Sequence, residues 1–391
     1  MFKMNKKIKG SKNLNVPNKG EQSQTCLSYA DRAEHLRKEN VPNLRFPEFS
    51  GEWEKTTIGK ILTIGNGRDY KHLTEGNIPV FGTGGYMLSV NEYLYDGESV
   101  FIGRKGTINK PFFFSGKFWT VDTLFYTHKF VDVLPYFVYG LFQRINWNNY
   151  NEASGVPSLS KSTIEKISIN VPIVEEQRKI ANLMSLLDDR IATQIKIIED
   201  LKKLKSAISN EIFNHTSNRK CELKEIASVI MGQSPSSHAY NNNADGLPLI
   251  QGNLDIENGQ LSPRIYTSEI TQTCECGDVI LTVRAPVGEI AIAQQEACIG
   301  RGVCSIRPHV NNDTNIIYQF LQYFKPKWGS LEQGSTFTAV SGTDIRGIAV
   351  SIPSADKIEL LNVYDNKIRV ESRILTNLTQ QKQYLLAQMF I

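Results

Sequence analysis

Apolar side chains return every three or four residues through EEQRKIANLMSLLDDRIATQIKIIEDLKKLKSAISNEIF, which runs from Glu175 to Phe213. Counted from Ile180, the positions are Ile180, Leu183, Leu187, Arg190, Gln194, Ile197, Leu201, Leu204 and Ile208, and seven of them are apolar. So narrow a stripe is a coiled-coil seam rather than the broad face of a globular helix. About 39 residues at ~1.5 Å each predict a helix roughly 58 Å long, and such a helix needs a partner. The chain supplies one. Shifted by 181 residues, the same positions fall on Leu361, Tyr364, Ile368, Glu371, Leu375, Leu378, Lys382, Leu385 and Met389, again seven of them apolar. The lead-ins match too: Ile164 to Pro172 and Ile345 to Pro353 share the pattern I-x-x-I-x-[IV]-x-[VI]-P. A short strand, a proline and then early acids (Glu175 and Glu176; Asp356) mark a helix start, where the positive end of the dipole favours negative charge.

Before each long helix the pattern changes to short apolar runs separated by glycine-rich turns. Residues 45–172 contain NIPVFGTGGYMLS, ESVFIGRKGTI, KPFFFSG and FWTVDTLFYT, the spacing of a mainly β domain, with one clear helix from Leu134 to Trp147. Residues 221–353 restart the pattern, CELKEIASVI echoing WEKTTIGKIL, and include the helical NIIYQFLQYFKPKW. GESVFIGRKGTI (Gly97 to Ile108) aligns with GDVILTVRAPVGEI (Gly277 to Ile290), which places Arg104 opposite Arg284. The fold class expected is α+β: a tandem repeat of about 180 residues in which two β-rich domains are separated by two long antiparallel coiled-coil helices with pseudo-two-fold symmetry. The expected division is a disordered basic tail over 1–43, β-rich domains over 44–173 and 214–353, and helices over 174–213 and 354–391. The tail carries Lys3, Lys6, Lys7, Lys9, Lys12 and Lys19 with no acid before Glu21.

Composition adds limits. The 391 residues carry a net charge of +4, which permits a nucleic-acid partner without demanding one. Six cysteines form no C-x-x-C pair, and with six histidines no zinc constellation emerges, so no metal site is expected. No run of eighteen apolar residues and no signal-peptide core occur, so the expectation is a cytoplasmic protein with no membrane partner. A G-x-x-x-x-G-K-[ST] phosphate loop is missing, as is the N-P-P-[YF] or D-P-P-Y tetrapeptide of an amino-methylating enzyme. His128, His238 and His309 stand apart from any recognisable nucleophile and acid. The reading is therefore non-catalytic, with no catalytic residue assigned. Between Glu98 and Asp122 the only charges are Arg104, Lys105, Lys110 and Lys117, interleaved with aromatics. That is either a surface for phosphates and bases or an ordinary solvated hairpin.

Two unlike β-rich domains held apart by a helix pair suit a long rigid ligand read at two places, as duplex DNA is at successive major grooves roughly 34 Å apart. Different domains imply an asymmetric, split site. VPNLRFPEFSGEWE, GVPSLS, VPIVEEQRKIANLMSLLDDRI, MGQSPSS, GLPLIQGN and GDVILTVRAPVGEIAI resemble the specificity subunit of type I restriction-modification systems over nearly the whole chain after the tail. The resemblance implies that the β-rich domains are target recognition domains. It implies that the helices dock two methyltransferase subunits, with Glu176, Gln177 and Arg178 at the first helix start as docking residues. It also implies a restriction-translocase partner. The chain itself would bind no cofactor; S-adenosylmethionine, ATP and Mg would belong to the partner subunits. The second helix lacks the glutamine-arginine pair of the first. Candidate DNA-binding residues, chosen by type and placement, are Arg104, Lys105 and Lys110 in the first domain, and Gln233, Ser234, Ser236, Ser237, Arg284 and Arg301 in the second. Ser158, Ser160, Ser335 and Thr336, in the loops before the helices, are candidates for phosphate. The competing readings are a coiled-coil adaptor that does not read DNA, and a stand-alone nucleic-acid-modifying enzyme.

Overall fold

The computed structural model describes residues 40–215, 219–310, 313–330 and 339–391. The predicted tail up to residue 39, and Cys26 within it, lie outside the described residues. Two compact units divide the chain: Met1–Ala181 with Leu386–Ile391, and Asn182–Leu385.

In the first unit the order is β1 (Glu54–Thr57), α1 (Ile58–Ile61), β2 (Thr63–Asn66), β3 (Glu75–Gly82), β4 (Gly85–Val90), β5 (Tyr95–Gly103), β6 (Phe112–Thr120), β7 (Leu124–His128), α2 (Pro135–Arg144), α3 (Lys161–Lys166), β8 (Ser168–Val171) and the start of α4 (Val174–Asn214). Six strands form one sheet in the order β2-β7-β5-β6-β3-β4, antiparallel except where β3 meets β6. The apolar run Val100, Phe101 and Ile102 is fully buried, as expected for a central strand covered on both faces. Phe101 packs edge-on against Phe112 and Phe118 at 4.8 and 4.7 Å. The first and last strands pair with each other, from Glu54 opposite Val171 to Thr57 opposite Ser168. α2 begins with proline in its first turn and buries Phe137, Val138, Leu141 and Phe142. Its Gly140 leaves room for Phe390, whose ring stacks on Phe137 at 5.2 Å and meets Trp53 edge-on.

The second unit repeats the plan. β9 (Arg219–Glu222), α5 (Leu223–Ile226) and β10 (Ala227–Met231) lead into short strands β11 (Tyr240–Asn241), β12 (Leu247–Ile250), β13 (Ile256–Glu257), β14 (Gln260–Leu261), β15 (Ile265–Thr267) and β16 (Thr273–Cys274). β17 (Val279–Thr282), β18 (Ile290–Ile292), β19 (Ala297–Ile299), β20 (Val303–Pro308), α6 (Asp313–Phe324), α7 (Gly342–Arg346), β21 (Ala349–Ile352) and α8 (Ala355–Met389) complete it. Two sheets form, in the orders β10-β20-β17-β18-β14-β13 and β11-β15-β12-β19-β16. Alternation along β17 builds two cores. Val279 and Leu281 face Ile317, Phe320 and Leu321 of α6 together with Ile212, Phe213 and Leu361 of the long helices, while Ile280 faces Ile250 and Ile299. Here too the first strand pairs with the last, Arg219 opposite Ile352 and Glu222 opposite Ala349. Burial pushes the Cys274 thiol up to about 11 and the Cys304 thiol to about 12, which makes them core side chains rather than ligands.

Within this unit α4 and α8 pack antiparallel. Lys382 donates to Asp188 at 2.5 Å, Gln194 to the Glu371 carboxylate at 2.5 Å, and Lys205 to Asp365 at 2.6 Å, so partners rise on one helix as they fall on the other. Lys367 and then Gln194 hold the Glu371 carboxyl below the ordinary range. All nine predicted seam positions of α8 are buried or half-buried. On α4 every second predicted position needs correction. The inward residues are Ile180, Met184, Leu187, Ile191, Gln194, Ile198, Leu201, Lys205, Ile208 and Ile212, whereas Arg190, Ile197 and Leu204 are exposed and Leu183 is half-buried. Adjacent apolar pairs such as Ile197 and Ile198 satisfy either register. Lys205 decides it, because Asp365 compensates the charge and lets the lysine stem fill the seam.

Two outcomes follow from this packing. A Cβ at residue 140 would lie 2.5 Å from Phe390 Cζ, so Gly140→Ala is expected to destabilise the first unit by about 1–3 kcal/mol, measured by urea denaturation. Lys205→Met leaves Asp365 without its cation and is expected to cost about 1–3 kcal/mol. Adding Asp365→Leu should recover most of that loss. If the double variant is as unstable as the sum of the single ones, the two side chains are not coupled.

Candidate nucleic-acid interface

In each unit the strand that carries the candidate cations ends in a turn clamped by two other loops. In the first unit the Arg104 N–H donates to the Thr123 carbonyl at 2.8 Å, and the Leu159 N–H donates to the Arg104 carbonyl at 2.9 Å. Lys105 forms a β-bridge with Ser158, and the Gly106 N–H donates to the Pro157 carbonyl at 2.8 Å. Gly106 sits at φ +88°, which favours glycine. Arg104, Lys105 and Lys110 are exposed, and Arg104 Nη1 reaches the Asp122 carbonyl at 3.3 Å. In the second unit the Val283 N–H donates to the Gly302 carbonyl at 2.9 Å, the Val340 N–H to the Val283 carbonyl at 3.0 Å, and Arg284 bridges Ala339. Arg284 and Arg301 are exposed.

The two patterns share two backbone hydrogen bonds and one β-bridge, and they correct the alignment by one residue. Arg104 corresponds to Val283, and it is Lys105 that stands where Arg284 stands. Gly103 and Thr282 are the matching strand ends, each paired with the first residue of a neighbouring strand in its sheet, Leu124 of β7 and Val303 of β20. Each unit therefore presents an exposed cation at the same place.

The remaining candidates divide by what their polar atoms already do. Gln233, Ser236 and Ser237 are exposed. Ser234 Oγ accepts the Arg301 N–H at 3.2 Å, and the Ser236 N–H donates to Glu269 at 3.1 Å, so these two brace the loop. Ser158 is half-buried, its N–H donating to Asn151 Oδ1 at 2.9 Å. Ser160 caps α3: its Oγ accepts the Thr163 N–H at 3.2 Å and donates to Thr163 Oγ1 at 2.9 Å. The Glu152 carboxylate beside it is held below its usual range by hydrogen bonds from Thr163 and Ser160, and a fixed negative charge there disfavours a phosphate. Ser341 is the matching cap of α7, accepting the Asp344 N–H at 3.2 Å. Ser335 and Thr336 lie outside the described residues. Arg68 is an exposed cation that the sequence reading passed over, on the loop after β2. The available signal is the glycine ahead of each position, Gly67 and Gly232.

Of the three residues at the start of α4, two are used internally. Glu176 is fully buried and accepts from Arg45 Nε and Nη2 at 2.8 and 2.7 Å and from Trp53 Nε1 at 3.3 Å. Gln177 is 1% exposed; it accepts the Leu134 N–H at 2.9 Å and donates to the carbonyls of Asp132 and Pro172 at 3.0 and 2.8 Å. Neither offers a polar atom to another protein, because this acid and this amide fasten the helix to its own domain. Arg178 is exposed.

His128 stacks on Tyr126 at 5.4 Å, with its pKa lowered first by desolvation, and His309 lies 3.2 Å from Ser228 Oγ. No group of three or more His, Cys, Asp and Glu among the described residues could hold a metal ion. Among the described residues no helix is long and apolar enough to cross a membrane.

A family model for the type I restriction modification DNA specificity domain matches this chain twice, over residues 50–203 and 217–380. A putative type I restriction enzyme MjaX specificity subunit from Methanocaldococcus jannaschii is 28% identical over 281 residues, covering 64% of this chain and 66%, just under two thirds, of that one. The type I restriction enzyme MjaVIII specificity subunit of the same organism is 23% identical over 406 residues, covering 88% and 92%. The crystal structure of the type I restriction-modification S subunit from M. genitalium shares the fold, with a TM-score of 0.64 at 17% identity over 90% of this chain and 99% of that one. With both repeats matched, the chain belongs to the family of type I restriction-modification DNA specificity subunits.

Proposed function

We propose that this chain reads one asymmetric, bipartite DNA site, each β-rich domain recognising one half. The observation that carries the reading is the repeated turn geometry: Lys105 and Arg284 occupy the same hydrogen-bonded position in two domains of different sequence. A phosphate-facing cation can be common to two readers, while the loops around it differ with the bases they meet. The recognition domains span 44–173 and 214–353, and the helices 174–213 and 354–391 set the gap between half-sites. On the same reading the chain is not itself an enzyme. Two methyltransferase subunits dock on the helices and use S-adenosylmethionine to methylate adenine, and restriction-translocase subunits use ATP and Mg. Arg178 remains a docking candidate, and the exposed Leu186, Ile195, Ile197 and Leu204 of α4 offer apolar surface beside its charged face.

Replacing 44–173 with the corresponding domain of another family member is expected to change one half of the methylated sequence and leave the other intact, as mapped by sequencing methylated adenines. Change in both halves, or in neither, rules the modular reading out. Removing one heptad from each helix, 191–197 and 371–377, takes out Gln194 together with its partner Glu371, keeps both seams in step and is expected to shorten the gap. Seven residues rise about 10 Å, close to three base pairs. An unchanged gap with altered half-sites would contradict the spacer role. Affinity for the site should fall steeply between about 50 and 200 mM salt through counterion release, whereas an adaptor that does not bind DNA shows no such dependence.

A further inference from the structure

One exposed residue in each unit is held in the same way at a place the cationic turns do not occupy. Gly67 follows β2 and Gly232 follows β10, and each lets the backbone cross directly over a neighbouring turn. A Cβ at Gly67 would lie 1.9 Å from the Val121 carbonyl oxygen, and one at Gly232 would lie 2.2 Å from the Gly300 carbonyl oxygen. The Gly67 N–H donates to the Leu124 carbonyl at 3.2 Å, and the Gly232 N–H to the Val303 carbonyl at 3.0 Å. The next residue is pinned on both sides. The Arg68 N–H donates to the Thr120 carbonyl at 2.8 Å, and the Gln233 N–H to the Ile299 carbonyl at 2.9 Å. Trp119 Nε1 donates to the Arg68 carbonyl at 3.0 Å, and Thr271 Oγ1 donates to the Gln233 carbonyl. Both side chains are exposed, and neither makes a hydrogen bond or ion pair among the described residues.

The pinned position borders the cationic turn. Thr123, within the turn that Gly67 crosses, accepts from the N–H groups of Arg104 and Lys105 at 2.8 and 3.3 Å, and Gly302 accepts from Val283 in the other unit. A rigid backbone carrying a free, planar side chain with paired hydrogen-bonding atoms is what base reading requires. A guanidinium bonds twice to O6 and N7 of guanine, and a carboxamide bonds twice to N6 and N7 of adenine. Only the guanidinium is charged. Neutralising a phosphate would therefore be lost in the exchange from arginine to glutamine between the repeats, while reading a purine edge survives it. Arg104 is less suited, since its Nη1 is already held by the Asp122 carbonyl. We propose that Arg68 and Gln233 are equivalent base-reading residues, Arg68 selecting a guanine in one half-site and Gln233 an adenine in the other. This rests on the DNA-reading function proposed above.

The test uses the full chain in complex with methyltransferase subunits, selecting duplexes from a library with both half-sites randomised. Wild type is compared with Arg68→Gln and Gln233→Arg. Arg68→Gln is expected to replace one guanine of one half-site with adenine, or leave that position degenerate, with about a tenfold or greater loss on the wild-type duplex and no change in the other half. Gln233→Arg should alter one adenine of the other half. A motif that stays the same in both variants overturns the proposal. So does an Arg68→Gln complex that weakens equally on all duplexes with a shallower salt dependence, since that marks a phosphate contact. The half-site left intact in each variant verifies that the chain is folded. If the wild-type complex enriches no bipartite motif, the DNA-reading function itself fails, and that result is distinct from a variant whose motif does not move.

Discussion

Each β-rich region of this protein closes on itself by pairing its first strand with its last, and the rest of the architecture depends on that pairing. β1 on β8 and β9 on β21 bring the start and the end of each β-rich region side by side, four residues to four. Everything between them can vary without moving the point where the long helix begins. In the first unit that point is fastened further: Arg45 and Trp53, just ahead of β1, converge on Glu176 in the first turn of α4. A carboxylate with no exposure is costly unless fully bonded. Here the bidentate arginine and the indole satisfy it, so the direction of the helix is tied to the closed strand pair.

The helix pair solves a related problem with polar groups. An all-apolar seam of this length could slide by a heptad with little penalty, because leucine meets leucine in either register. Lys382 with Asp188, Gln194 with Glu371, and Lys205 with Asp365 each have a partner in one register only. Their gain over apolar contacts is small, but unpaired and buried they would be strongly unfavourable. They fix orientation and alignment, which an all-apolar seam would leave open.

Local features of this fold were legible in the sequence, and features that depend on a distant partner were not. The long helices and the strands before their prolines can be read because each is a periodicity or motif within about forty residues, and the tandem repeat because those local motifs recur 181 residues apart. The seam of α4 was read one residue early at every second position, since only Asp365, on the other helix, shows that Lys205 faces inward. Glu176 and Gln177 are expected as docking residues for the same reason: partners such as Arg45 and the backbone of 132–134 are far away in sequence. Ser160 is a different case, because the cap it makes is local. Its hydroxyl three residues before Thr163 matches Ser341 before Asp344, and two serines at one position of a repeat, each ahead of a short helix, point to capping. The parallel contacts of β3 with β6 and β12 with β19 had no local trace at all.

The repeat also separates the skeleton from the exposed side chains more sharply than sequence alignment can. Aligned by letters, arginine meets arginine; aligned by hydrogen bonds, Arg104 meets Val283 and Lys105 meets Arg284. The bonds are the better guide because buried backbone groups must be satisfied, whereas an exposed side chain answers only to its ligand. Where bonds coincide and side chains differ, as at Arg68 and Gln233, the backbone alone meets the demands of the fold. The difference that remains on the surface is then free to follow whatever each domain meets.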